Sequence, residues 1–152
     1  MQLFLLQLAC CLLRLQDLQP TSLQSLTALK DLRALQFNCP LSNCLDRLTT
    51  DVLPKLPNLR AFELPCQGLT SLQQLSALSK LTRLTKLTLR QWDPQATMAD
   101  ADLQLLRPLT GLTELGLGLL RQCSEEAVAG FRAVMPRLKT VFLWTDLGAY
   151  RW

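Results

Sequence analysis

The most reactive side chains in this sequence are six cysteines, at positions 10, 11, 39, 44, 66 and 123, and the chain contains no histidine. Without histidine it lacks the commonest general base and the commonest metal ligand. No thiol can then form a Cys–His couple. There is no CxxC pair, and the spacing does not assemble a four-thiolate site. The even count would permit disulfides. The positions do not form the dense framework of a small secreted domain, so reduced, mostly buried thiols are expected. Asp100 and Asp102 lie two apart, at the start of an expected helix, where acids favour the positive end of the helix dipole. No Gly-rich phosphate loop and no nucleophile elbow occurs. The sequence therefore predicts no catalytic, cofactor-binding or metal-binding residue, and no enzyme.

Charge gives only weak direction. Sixteen basic and 12 acidic residues leave a net charge of +4, with the bases spread from Arg14 to Arg151. That mild excess does not by itself point to nucleic acid, which is not expected as a partner. At 49% hydrophobic and 18% charged, the 152 residues can form a real core. The leucine-rich start lacks a basic flank, and Gln2 and Gln7 interrupt it. No stretch approaches the roughly 18 apolar residues of a membrane span. An intracellular location, cytoplasmic or nuclear, is expected.

The elements that would position any site emerge from self-similarity. The segment Leu29, Leu32, Leu35, Phe37 recurs as Leu56, Leu59, Phe62, Leu64, then as Leu81, Leu84, Leu87, Leu89. It recurs again as Leu109, Leu112, Leu115, Leu117 and as Met135, Leu138, Val141, Leu143. A degenerate copy, Gln2, Leu5, Leu8, Cys10, opens the chain. Of these 24 positions only Gln2 is polar, and 18 are leucine, far above what a half-apolar background would supply. The third position of each copy falls at 8, 35, 62, 87, 115 and 141, which gives spacings of 27, 27, 25, 28 and 26. The last two positions of each copy are two apart, the strand period, so they share one face. This Leu-x-Leu ending at a fixed phase argues against a helical bundle.

About 17 residues remain in each unit to return the chain to the next strand, and several returns carry helical spacing. Leu23 with Leu26, Leu45 with Leu48, and Leu72, Leu75 and Leu78 would each lie on one face. Ser124 suits an N-cap, with Val128, Phe131 and Val134 as an apolar stripe behind it. Pro54, Pro57, Pro108 and Pro136 fall where helices should stop. One unit cannot bury its own leucines, so stacking is required.

These ladders resemble the leucine-rich-repeat superfamily over nearly the whole chain. Unit length and helical returns are similar to its ribonuclease-inhibitor-like and cysteine-containing subtypes, the latter typical of F-box proteins. The resemblance implies an α/β solenoid of about six repeats, with a curved parallel inner sheet and helices outside. It also implies protein binding on the concave face, in an adaptor or substrate-recognition role. The family's usual Asn or Cys after the ladder is replaced by Leu13, Pro40, Gln67, Trp92, Leu120 and Asp146, with Cys39 and Cys66 one residue early. No F-box motif and no polar caps occur. Residues 1–152 are thus expected to form a single domain, uncapped at its start. It could be a fragment of a longer protein, and self-association through bare ends is open.

The partner-facing side chains would alternate with the buried ladder. They are Gln36 and Asn38, then Glu63, then Lys86, Thr88 and Arg90, then Glu114, then Phe142 and Trp144. Lys86 and Arg90 suit an acidic partner or a phosphate, or simple solvation. Phe142 and Trp144 suit a binding hot spot, unless the C-terminal tail covers them. Two functional readings stand: a non-catalytic protein-binding module needing no cofactor, or a structural or degenerate repeat fragment with no function of its own.

Overall fold

Apolar side chains two residues apart bury one face of an extended segment, and each ladder ending among the described residues forms a strand of this kind. The structure is a computed structural model that describes residues 12–15, 22–38, 45–67, 72–90, 99–118, 124–145 and 148–151. Its strands are β1 (Leu12–Leu15), β2 (Ala34–Phe37), β3 (Ala61–Pro65), β4 (Lys86–Arg90), β5 (Glu114–Gly118), β6 (Thr140–Thr145) and β7 (Gly148–Arg151). They form one sheet in sequence order. Strands β1 to β6 run parallel, and β7 turns back antiparallel on β6. The fold is α/β, with helical segments crossing between parallel neighbours.

The register matches the phase of the ladders. Leu35, Phe62, Leu87, Leu115 and Val141 are aligned across five strands. The first ladder is different. Leu13, not Leu8, aligns with Leu35, and residues 1–11 lie outside the described residues. The run from Leu3 to Leu15 is apolar at too many positions to fix a phase. A run with both faces apolar leaves register weakly specified.

The same turn closes each described ladder. The amides of Leu32, Leu59, Leu84, Leu112 and Leu138 donate to the carbonyls of Leu29, Leu56, Leu81, Leu109 and Met135, at 2.9–3.2 Å. Neighbouring units are then stitched together at the start of each strand. Arg33 O accepts from the amides of both Arg60 and Ala61. Arg60 O, Thr85 O and Thr113 O repeat that double acceptance one unit further on each time. Side chains extend the stitch: Thr85 Oγ1 donates to Arg60 O at 3.1 Å, and Thr113 Oγ1 to Thr85 O at 3.0 Å.

The returns are short and mixed. They comprise α1 (Ser22–Leu26), then α2 (Leu45–Arg47) running into a π turn at Leu48–Val52 and a 3₁₀ turn at Leu53–Lys55. A 3₁₀ segment, Leu72–Lys80, is kinked at Leu75; α3 (Asp100–Gln104) and α4 (Glu125–Ala133) follow. Leu23, Leu26, Leu45, Leu48, Leu75 and Leu78 are buried on the sheet as their spacing predicts. Pro54 lies inside a 3₁₀ turn instead of ending a helix, because proline fits a helical first turn. Val134 is 37% exposed at the C-cap of α4. The buried stripe instead joins Ala127, Phe131 and Met135, spaced four apart. Val128 lies outside the described side chains. Ser124 is the N-cap, as its type predicts: its Oγ accepts from Ala127 N at 3.1 Å.

The core is one continuous cluster from Leu23 to Met135. Phe37 and Phe62 meet edge to face at 6.2 Å, so the aromatic replacements in two ladders pack on each other. Cys66 is fully buried just after β3, where its amide donates to Arg90 O and its thiol to Leu64 O. It is a free thiol.

Two outcomes follow from this packing. Leu84→Ala should cost about 2–5 kcal/mol in urea unfolding, whereas exposed Thr82→Ala should stay within about 0.5 kcal/mol. Burial pushes the Cys66 thiol well above its ordinary value of 9.0, opposed weakly by the backbone of Arg90. The unfolded thiol ionises near 9 while the folded one stays neutral. The stabilisation is therefore complete below pH 9 and declines above it by about 1.4 kcal/mol per pH unit. Cys66→Ala should remove that part of the alkaline slope in unfolding curves at pH 8–10.

Candidate functional site

Side chains pointing away from the buried ladder rows form the second face of the sheet. Ala34, Gln36, Ala61, Glu63, Thr88, Arg90, Glu114 and Phe142 are half-buried there, and Lys86 is exposed. Of the expected partner-facing residues, Gln36, Asn38, Glu63 and Arg90 come together in one network across β2, β3 and β4. Gln36 Nε2 donates to Glu63 Oε1 at 3.2 Å and to Asn38 Oδ1 at 3.3 Å. Arg90 Nη2 pairs with Glu63 Oε1 at 2.7 Å and donates to Asn38 Oδ1 at 3.2 Å. Lys86 Nζ pairs with Glu114 Oε2 at 2.9 Å on the next strand.

Both cations of the basic row, Lys86 and Arg90, are thus paired within the sheet. Each of these two cations has a carboxylate on a neighbouring strand, so the described charges offset one another. The register explains why: Lys86 stands opposite Glu114, and Glu63 lies between Gln36 and Thr88, within reach of a long Arg90 side chain. Lys86 and Glu114 keep side-chain exposures of 49% and 44%, so water screens that pair and it adds little stability. Arg90 and Glu63 are more enclosed, at 35% and 23%. Arg90 Nε is buried and lacks a hydrogen-bond partner among the described residues.

Small residues between the polar heads leave room. Ala34 and Ala61 stand side by side and floor a depression of about 210 Å³, rimmed by Gln36, Glu63 and Lys86. Gly116 continues the low ground between Thr88 and Phe142. Phe142 is half-buried, and β7 pairs along the edge of its strand with Arg151 opposite. The tail thus extends the sheet at β6. Trp144 occupies β6 opposite Gly118 and Ala149, and its side chain lies outside the described ones.

Two further acids have structural tasks. Asp102 is buried and its Oδ2 accepts from Ala99 N at the start of α3. Asp100 accepts from both the amide and the hydroxyl of Ser124, tying α3 to the start of α4. Sequence reasoning missed the Thr85 and Thr113 stitch, although threonine one residue before the strand recurs in both units. It also missed Asn58, whose side chain donates to Lys30 O at 2.9 Å. Among the described residues no helix is long and apolar enough to cross a membrane. No family model matches the chain, and no curated protein matches it in sequence.

A double-mutant cycle on Glu63→Gln and Arg90→Gln should give a coupling of about 0.5–1.5 kcal/mol in thermal unfolding, because the pair shares hydrogen bonds in a half-enclosed setting. The same cycle on Lys86 and Glu114 should give less than about 0.5 kcal/mol and vanish in 1 M salt.

Proposed function

We propose that this chain is a leucine-rich-repeat solenoid of about six units that binds another protein on its open, concave sheet face and performs no chemistry. The solenoid reading is supported by the recurrence, unit after unit, of one ladder turn and one doubly accepting carbonyl, held in a common register. The absence of histidine from the whole sequence supports the non-catalytic part.

One observation carries the binding reading. The open face combines fixed polar groups with a small-residue floor: the depression over Ala34 and Ala61 sits beside the Gln36–Glu63–Arg90 network. Such a surface is pre-organised, so a partner side chain can enter without ordering loops first. Phe142 adds a half-exposed aromatic anchor on the same face. A substrate-recognition or adaptor role in the cytoplasm or nucleus follows by family resemblance. The mutual neutralisation of Lys86 with Glu114 and Arg90 with Glu63 favours a second reading, in which the face is merely stable and has no partner.

A photo-crosslinking amino acid at Thr88 on the sheet face, compared with one at exposed Ser76 on the helical side, separates the two. The binding reading expects one protein captured from Thr88 alone, with capture lost when Ala61→Arg fills the depression. Equal capture from both positions, or capture indifferent to Ala61→Arg, supports the second reading.

A further inference from the structure

The four charged side chains described on the open face pair with each other, and a second group of cations lies on the edge where each helical return turns into its strand. The segments 26–33, 55–60, 80–85 and 133–139 carry two basic residues each, and 104–113 carries one. Those nine are more than half of the chain's 16 cations, yet only one of its 12 acids, Asp31, shares these turns. All nine side chains are exposed. Among the described residues, none has a carboxylate within ion-pair distance. Random scatter of charge would have placed about as many acids there as bases.

The topology makes this a strip. Because the strands are parallel and sequential, every such turn falls on the same edge of the sheet. Arg33 and Arg60 immediately precede the paired residues Ala34 and Ala61, so they lie about one strand spacing apart, roughly 4.8 Å. Arg60 Nη1 reaches toward Arg83 O at 3.4 Å, and Lys30 Nζ donates to Lys55 O at 3.3 Å. Cations near helix C-termini are in part dipole partners, which covers Lys55 and Lys80. It does not cover Arg33, Arg60, Arg83, Arg137 and Lys139, which lie beyond the helices.

The strip also holds an apolar seat. A depression of about 420 Å³ lies between the third and fourth ladders, walled by Pro54, Pro57 and Thr82, with Lys80 and Arg83 at its rim. A second, of about 280 Å³, is lined by Asp31, Arg33, Asn58 and Arg60. We propose that this strand-leading edge is a second interaction surface, which takes an extended acidic polypeptide segment with an apolar side chain seated against Pro54 and Pro57. Carboxylates on an extended chain repeat every second residue, about 6–7 Å, against about 4.8 Å between turns, a difference that long arginine side chains span. Single-stranded nucleic acid fits less well, because these turns contain no aromatic residue for bases to stack on. A bilayer fits less well because the leucines of the turns point into the core, leaving almost nothing to insert.

The test is fluorescence anisotropy with a labelled 12-residue peptide of alternating glutamates around a central leucine, read at 50 and 200 mM salt. Binding should weaken several-fold with salt and by about tenfold in Arg33→Gln/Arg60→Gln/Arg83→Gln. The charge-preserving Arg33→Lys/Arg60→Lys/Arg83→Lys should retain it, with thermal unfolding confirming that both variants fold. Replacing the central leucine by serine should weaken binding further. Affinity unchanged in the glutamine variant overturns the proposal. So does tighter binding to a uridine homopolymer or to phosphatidylserine vesicles than to the peptide, and so does no peptide binding at 50 mM salt.

Discussion

A unit of 25–28 residues cannot bury four large apolar side chains by folding on itself, and everything else in this structure follows from that. Leu59, Leu84 and Leu112 are at most 1% exposed only because a neighbouring ladder lies on each side of them. The strands must therefore run parallel, in sequence order and in one register. Once they do, the backbone at the head of each strand has a single partner within reach: the carbonyl at the corresponding place one unit back. Arg33, Arg60, Thr85 and Thr113 all supply it. Where the stack runs out the burial loosens. Leu138 and Val141 are only partly buried, and β6 pairs on its far side with the antiparallel β7 in place of another ladder.

The same geometry sorts the charges. On the open face, register sets acids beside bases on adjacent strands, and the pairs neutralise each other. On the strand-leading edge, each unit contributes bases with almost no acids to answer them. A surface balanced within itself is suited to a shape-complementary protein partner, whereas an unbalanced one attracts opposite charge from a distance. The two proposed surfaces thus differ in the kind of contact they can make, and they occupy one face and one edge of the same sheet.

The ladders were legible in the sequence because Leu-x-Leu breaks helical spacing at a constant phase. Phe62, Leu87 and Leu115 align in space as they do on the page. The first ladder was not legible in the same way. Between Leu3 and Leu15 leucines occupy both possible faces, and only pairing with β2 selects Leu13. The 3₁₀ and π geometry of the returns was hidden as well, because leucines three apart satisfy either winding. Alternation along the strands sets Gln36, Glu63, Thr88 and Arg90 between the buried ladder residues. Their mutual pairing was not foreseen, since Glu63 and Arg90 lie 27 residues apart and meet only through register. Cys66 was expected as a buried thiol, but its part in closing the strand-exit turn needed the contacts with Leu64 O and Arg90 O.

Native-state hydrogen exchange, resolved by residue, tests the stacked arrangement most directly. The amides that share one carbonyl, Arg60 with Ala61, Thr85 with Lys86 and Thr113 with Glu114, should be strongly protected. They should also open with nearly the same free energy, because no unit keeps its leucines buried without its neighbours. Protection that instead recurs every three to four residues through Leu29–Phe37 and Leu81–Leu89, or exchange at unstructured rates at the shared carbonyls, would contradict the account.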